Sequence, residues 1–329
     1  MNCGDWPICG RCLASQKESV GVNLQTTVSK VLVFRGIGLH SGEEVELKLC
    51  PAPENFGICF FRSDVGIGDT AIPARWDRVE QSPLCTKLVN EAGISVSTVE
   101  HLLSALAGCG VHNARIEING PEVPILDGSA FPFVRQILAD PLTQLDQPVA
   151  AIRILKDIEF KTDQGWARLV PSDTPKMSFH IEFKDAAIGV QSKTINMSNG
   201  SFVRELCDSR TFCRSVDVDR MRANGLARGG SLENAVVVDG AKVLSPGGLR
   251  HADEAVRHKM LDALGDLTLS GAPIIGHYIG HRAGHAITNN LLCVLFATPG
   301  SFERVSCSDD VLQILPGIGA CLEEYRAAS

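Results

Sequence analysis

The chain has no apolar run approaching the roughly 18 uncharged residues of a membrane-spanning helix. Its first 20 residues have no hydrophobic signal core, and they set Asp5 and Glu18 against Arg11 and Lys17. That pattern fits neither a secretion signal nor an Arg-rich transit peptide, so a cytoplasmic protein with no integral membrane segment is expected. Positive charge is not in excess either: Lys plus Arg is 31 against 38 Asp plus Glu, a formal net charge of −7. An acidic chain without a basic run is a poor nucleic-acid binder, and no nucleic-acid partner is expected. Also missing are a GxGxxG turn after a strand, a Walker phosphate loop and a GxSxG nucleophile elbow.

What is present is 329 residues, 44% of them hydrophobic. That is enough for one large domain or two ordinary ones, each with a substantial core. The 12 cysteines are irregularly spaced in a chain too long to need disulfide staples. Several, such as Cys109 and Cys293, lie in apolar stretches where a reduced cysteine acts as a small hydrophobe, and a reducing compartment follows. The stretch CGDWPICGRC carries Cys3, Cys9 and Cys12. Three thiolates fall short of the four ligands of a structural zinc site, and residues 1–23 are expected to form a mobile N-terminal extension.

Hydrophobic periodicity divides the rest. VSKVLVF and EVELKL, joined by GIGLHSG, read as two strands, the second alternating as a half-exposed strand should. SVSTVEHLLSALAGCG reads as a helix, with Val99, Leu102, Leu103 and Leu106 at helical spacing and Gly108 and Gly110 at its end. A strand follows at 114–118, then the breaker-rich loop PEVPILDGS and a helix from Phe133 to Leu138. Residues 140–150 read as a linker. Strands then restart near Ile152–Phe160, Ala167–Val170 and Met177–Phe183. Helices are expected near Phe202–Leu206, over 216–225, from about Asp253 to Leu269, and from His285 to Ala297. Strands grouped with segregated helices, twice over, imply an α+β chain of two related halves.

Three polar clusters stand out. In VRHKMLDALGDL, His258, Asp262 and Asp266 recur every four residues and share one helix face, opposite Val256, Met260, Leu264 and Leu267. Two readings fit: a solvated face balanced by Arg257 and Lys259, or part of a metal site in which a histidine and a carboxylate one turn apart share an ion. Glu100 and His101 are equally ambiguous. Ser97-x-x-Glu100 matches a capping box, while a ligand histidine beside a carboxylate base is what metal-assisted hydrolysis needs. In GHYIGHRAGHAITNN, each of His277, His281 and His285 follows a glycine, which argues against one continuous helix. A strand, a turn and a helix starting near His285 would separate them, leaving at most one catalytic.

The segments GIGLHSG, STVEHLLSAL, PEVPILDGSA, SRTF, GGSLENAVVVD, LRHADEAVRHKMLDALGDL and AGHAITNNLL occur in that order. Together they resemble the UDP-3-O-acyl-N-acetylglucosamine deacetylase family, the zinc enzymes of lipid A synthesis, over about residues 24–317. The resemblance implies an α+β fold of two related two-layer sandwich domains, 24–145 and 150–320, packed helix layer to helix layer, each with a small insert. It implies zinc-dependent hydrolysis of the N-acetyl group of UDP-3-O-acyl-N-acetylglucosamine, by a monomer carrying one Zn2+. His101, His258 and Asp262 would be the metal ligands and Glu100 the general base. His285 would be the protonated partner steadied by Asp266, and Thr211 the hydroxyl facing the oxyanion. Lys259, Phe212, Leu84 and Cys85 would contact substrate. The insert at about 213–240 would form a passage for the acyl chain, using Val216, Val218, Leu226, Ala235 and Val237. Rival readings are a zinc deacetylase for another N-acetyl sugar, without a lipid passage, and a non-catalytic sugar-nucleotide-binding module.

Overall fold

The structure, a computed structural model, describes residues 24–66, 68–82 and 84–325. The expected extension over residues 1–23, with Cys3, Cys9 and Cys12, lies outside them.

Two five-stranded sheets carry the architecture, and they share one connectivity. In the first, β1 (Leu32–Ile37) and β2 (Glu44–Cys50) form an antiparallel hairpin, followed by β3 (Ile58–Arg62), β4 (Ala71–Pro73) and β5 (Ala114–Ile118). The spatial order is β1-β2-β5-β3-β4. In the second, β6 (Ile158–Lys161), β7 (Trp166–Val170), β8 (Lys176–Glu182), β9 (Val190–Asn196) and β10 (His277–His281) are ordered β6-β7-β10-β8-β9. In both, the last strand enters the middle, antiparallel to the second strand and parallel to the third. A parallel neighbour needs a crossover connection. Helix α1 (Glu100–Cys109) leads into β5 and helix α3 (Glu254–Thr268) leads into β10. Helices α2 (Phe131–Ile137) and α4 (His285–Ala297) follow those central strands.

Side-chain alternation sets which sheet face is covered. Along β2, Val45, Leu47 and Leu49 point inward and are buried, while Glu44 and Lys48 are exposed. Helix α1 places Leu102, Leu103 and Leu106 in the core with no exposure, and α3 does the same with Val256, Met260 and Leu261. Each such side chain contributes about 1.5–3 kcal/mol by burial. One hydrophobic cluster runs through both halves, and α1 and α3 pack directly on one another. Gly265 permits this approach: a Cβ there would lie 2.0 Å from the Glu100 carbonyl oxygen. The chain is thus α+β, with its two helix layers face to face.

Each half carries an insertion ahead of its central helix. In the first it is the small sheet Val79–Glu80, Lys87–Val89 and Ser95–Ser97. In the second it holds strands Phe212–Arg214, Val236–Asp239 and Lys242–Val243 around helix Ser215–Ala223. The supposed linker at 140–150 is a correction to the sequence reading. Thr143–Pro148 is a strand, paired antiparallel with Leu24–Thr27 at the other end of the first half. It is solvent-facing along nearly its whole length, so no apolar alternation marks it.

Candidate metal centre

The helix crossing brings the first turn of α1 against the middle of α3. His101 Nε2 lies 3.5 Å from Asp262 Oδ1, and His258 Nε2 lies 3.3 Å from the same oxygen. The two imidazoles meet edge to face, centroids 4.9 Å apart. One ligand atom from each of His101, His258 and Asp262 falls within 4.8 Å of the others. Exposure is 5%, 2% and 4%, which rules out the solvated-face reading of the α3 row. The apolar stripe of α3 packs into its own half, and α1 covers the polar side.

Asp262 Oδ1 is buried and makes no hydrogen bond. A buried carboxylate oxygen without a donor is unfavourable by several kcal/mol, yet this one points between two imidazole nitrogens. His258 Nδ1 donates to the Ser209 carbonyl at 3.0 Å, which leaves Nε2 as a lone pair. Burial pushes the His258 imidazole down to about 3, so the ring is neutral near pH 7. Burial opposes ionisation of Asp262. Pairing with His258, with the Lys259 ammonium at 2.6 Å and with His285 outweighs it and holds the carboxyl well below its ordinary range. Two imidazoles and one carboxylate are a donor set suited to a divalent borderline cation, with a further position open. A carbonyl that accepts from the other ring nitrogen of a ligand histidine is a recurrent part of such sites.

Beside this cluster sit two groups with opposed proton demands. Burial raises the Glu100 carboxyl above its usual range, against the pull of His285 and His101. His285 is the first residue of α4, and its Nδ1 donates to Asp266 Oδ2 at 3.0 Å. Its Nε2 lies 3.7 Å from Glu100 Oε1 and 3.8 Å from Asp262 Oδ2. Burial would neutralise this ring, but Asp266, Glu100 and Asp262 outweigh it and push the imidazole up to about 9. Lys259 is likewise kept protonated: burial opposes its charge, and Asp262 restores it.

The capping box does not form. Ser97 lies in a strand and donates its hydroxyl to the Pro121 carbonyl. The Glu100 carboxylate accepts instead from the Thr86 backbone N–H at 3.0 Å. His277 and His281 stay away from the cluster, as the glycine pattern implied. His277 Nε2 meets Ser178 Oγ at 2.8 Å. His281 stacks between Trp166 and His180.

The remaining candidates are spread around this centre. The Phe212 ring meets the His258 ring edge-on at 6.2 Å. Thr211 is anchored by its backbone, its N–H donating to the Gly128 carbonyl. No hydrogen bond among the described residues uses its hydroxyl. Cys85 is buried, and its thiol is pushed up to about 11 by burial and the Glu100 charge, which makes it a wall group and not a nucleophile. Leu84 is exposed.

Sequence reasoning missed the supporting network. Thr86 Oγ1 donates to Asp266 Oδ1 and accepts from Asn289 Nδ2. Thr86 thus ties Glu100, by its backbone, to the partner of His285, by its side chain. Glu254 is fully buried and accepts from the backbone and guanidinium of Arg210 and the backbone N–H of Arg250. It fixes the segment whose Ser209 carbonyl orients His258. GIGLHSG, read as turn glycines, is clamped: Glu122 accepts from the N–H groups of His40 and Ser41 and from Thr98.

Comparison with known proteins identifies the family. The family model for UDP-3-O-acyl N-acetylglycosamine deacetylase matches residues 25–297. A UDP-3-O-acyl-N-acetylglucosamine deacetylase of Shewanella sp. (strain W3-18-1) is 42% identical over 284 residues, covering 86% of this chain and 92% of that protein. Deacetylases of the same name from Shewanella oneidensis and Shewanella baltica (strain OS155) match to the same extent.

Proposed function

The chain belongs to the UDP-3-O-acyl N-acetylglycosamine deacetylase family and is a hydrolase of UDP-3-O-acyl-N-acetylglucosamine in lipid A biosynthesis; on that premise we propose that it works with one zinc ion, held by His101, His258 and Asp262. The observation that supports this most is the unpartnered Asp262 Oδ1 lying between two Nε2 atoms from different halves of the chain.

The reaction is addition of water to an amide carbonyl and expulsion of the sugar amine, yielding acetate and UDP-3-O-acyl-glucosamine. Bound zinc supplies Lewis acidity, which lowers the pKa of water to about 7 and polarises a carbonyl. Glu100 takes the proton that water loses on attack, a role its raised pKa favours. His285 enters as the cation, stabilises the developing oxyanion and gives its Nε2 proton to the departing nitrogen. Asp266 keeps that ring oriented and charged through Nδ1. Thr211, whose hydroxyl has no partner among the described residues, donates to the oxyanion.

Lys259, Phe212, Leu84 and Cys85 contact the substrate around this centre. The acyl chain runs along the insert at about 213–240. Ala235 and Val237 are buried there, while Val216 stands 63% exposed on a helix that buries none of its residues. An exposed apolar side chain beside buried apolar residues is available to a lipid chain. The enzyme acts in the cytoplasm as a monomer. No described helix is long and apolar enough to cross a membrane, and the cysteines among the described residues are free thiols, as in a reducing compartment. The direct test compares acetate release from acylated and unacylated UDP-N-acetylglucosamine. The acylated sugar should be strongly preferred in kcat/KM. Equal turnover of both would contradict the lipid passage.

A further inference from the structure

One well-formed cavity lies away from the metal centre. It encloses about 310 Å3 between the two halves, at the opposite end of the paired helices. Its α1 lining begins at Ala107, which at 1.5 Å per residue stands about 9 Å along the axis from His101. From α3 it takes Leu264, Leu267 and Thr268, beyond the metal-facing residues. Ile58 and Val111 from the first half and Leu169, Met177 and Tyr278 from the second complete an apolar wall. This size and lining match those of small-molecule sites.

Its charge is one-sided. Lys176 and Arg304 line the cavity, no aspartate or glutamate does, and neither cation makes a salt bridge or side-chain hydrogen bond among the described residues. Lys176 is half-buried, whereas elsewhere the chain pairs such cations, Arg210 with Glu254, Arg257 with Asp253 and Lys193 with Glu205; Arg304 stands exposed at the mouth. The amides near the mouth are already committed, Gln25 to Asn55 and Asn113. His112, also in the lining, is pushed down to about 4 by burial and accepts the Thr26 N–H at Nδ1. It offers only a neutral ring N–H donor. An apolar hollow with donors and cations but no acceptor charge complements an anion with a hydrocarbon body.

We propose that this cavity is a second ligand site, which takes a single-chain carboxylate amphiphile, with Lys176 and Arg304 supplying the countercharge. Because both halves line it, the ligand bridges them and touches the same two helices that carry the metal centre at their other end. The site is separate from the proposed acyl passage, which lies on the insert at 213–240.

Decanoate is a suitable probe, titrated calorimetrically into the full-length zinc-loaded protein, with decanol as the neutral control. The double variant Lys176→Glu/Arg304→Glu changes only rim side chains. Decanoate should bind the native protein, bind the variant at least tenfold more weakly, and raise the Tm of the native protein alone. Acetate release without decanoate should be the same in both. Equal decanoate affinity for both proteins, as binding in the catalytic passage would give, overturns the assignment. So does decanol binding as tightly as decanoate, or no decanoate binding at all.

Discussion

Glu100 and His285 sit 3.7 Å apart, and the proposed mechanism needs them in opposite protonation states at once. For His285, the pKa pushed up to about 9 means the ring is cationic at neutral pH and loses its proton as the pH rises through that value. The rate should therefore decline above about pH 9, and a pH profile of kcat/KM with zinc present should show that limb. In Glu100→Gln the shape of the site is preserved but the proton acceptor is gone. The expected loss is about 10²- to 10⁴-fold in kcat, with zinc content unchanged by metal analysis. Full activity in that variant would remove Glu100 from the reaction. The sequence made these residues visible because each lies in a local pattern: a row at four-residue spacing, a Glu-His pair at a helix start, a glycine-interrupted histidine series. Their supports left no such trace. Thr86 and Asp266 are 180 positions apart, and Asn289 is 203 from Thr86. Nothing within SPLCTKL marks a threonine that joins Glu100 to the partner of His285. Only the tertiary fold makes it one.

Among elements, the crossing of α1 and α3 matters most, and Gly265 is its contact point. The glycine is not needed for backbone freedom, since it lies inside a regular helix. It is needed because a methyl group would collide with the Glu100 carbonyl. Gly265→Ala should force the helices apart, destabilising the fold by about 1–3 kcal/mol. It should also weaken metal binding, because His101 is one residue from the collision. Denaturant unfolding and zinc titration on the same sample check both effects; unchanged zinc affinity would show that the crossing tolerates the extra volume. Periodicity located α3 and α4 almost to the residue, since long apolar rows at helical spacing are strong local signals. It failed at Thr143–Pro148, whose side chains mostly face solvent and whose partner lies at the start of the first half. The Ser97-x-x-Glu100 motif likewise suggested a cap, where the β-strand pairing of Ser97 took precedence.

At the scale of the molecule, the same strand order occurs twice, and the site exists only where the two copies meet. Restarting alternation after residue 150 exposed the duplication in the sequence. The cavity at the far end of the helices could not be read there, because it depends on how the halves dock. His112 reports on that docked region. Burial depresses its pKa from 6.5 to about 4, so on acidification the unfolded chain takes up the proton first. Its contribution to stability is complete above pH 6.5 and is lost as the pH falls toward 4, about 3 kcal/mol in all. His112→Gln should flatten the dependence of unfolding free energy on pH across that window, and an unaltered slope would show that other groups set it. The central claim is that His101, His258 and Asp262 hold one zinc ion that the reaction requires. It is tested most directly by chelating the purified protein, returning zinc in measured steps and assaying acetate release from UDP-3-O-acyl-N-acetylglucosamine. Activity should vanish on chelation and return to a plateau at one zinc per chain, while Asp262→Asn stays inactive throughout. Full turnover by the chelated protein, or no recovery at any zinc level, would contradict it.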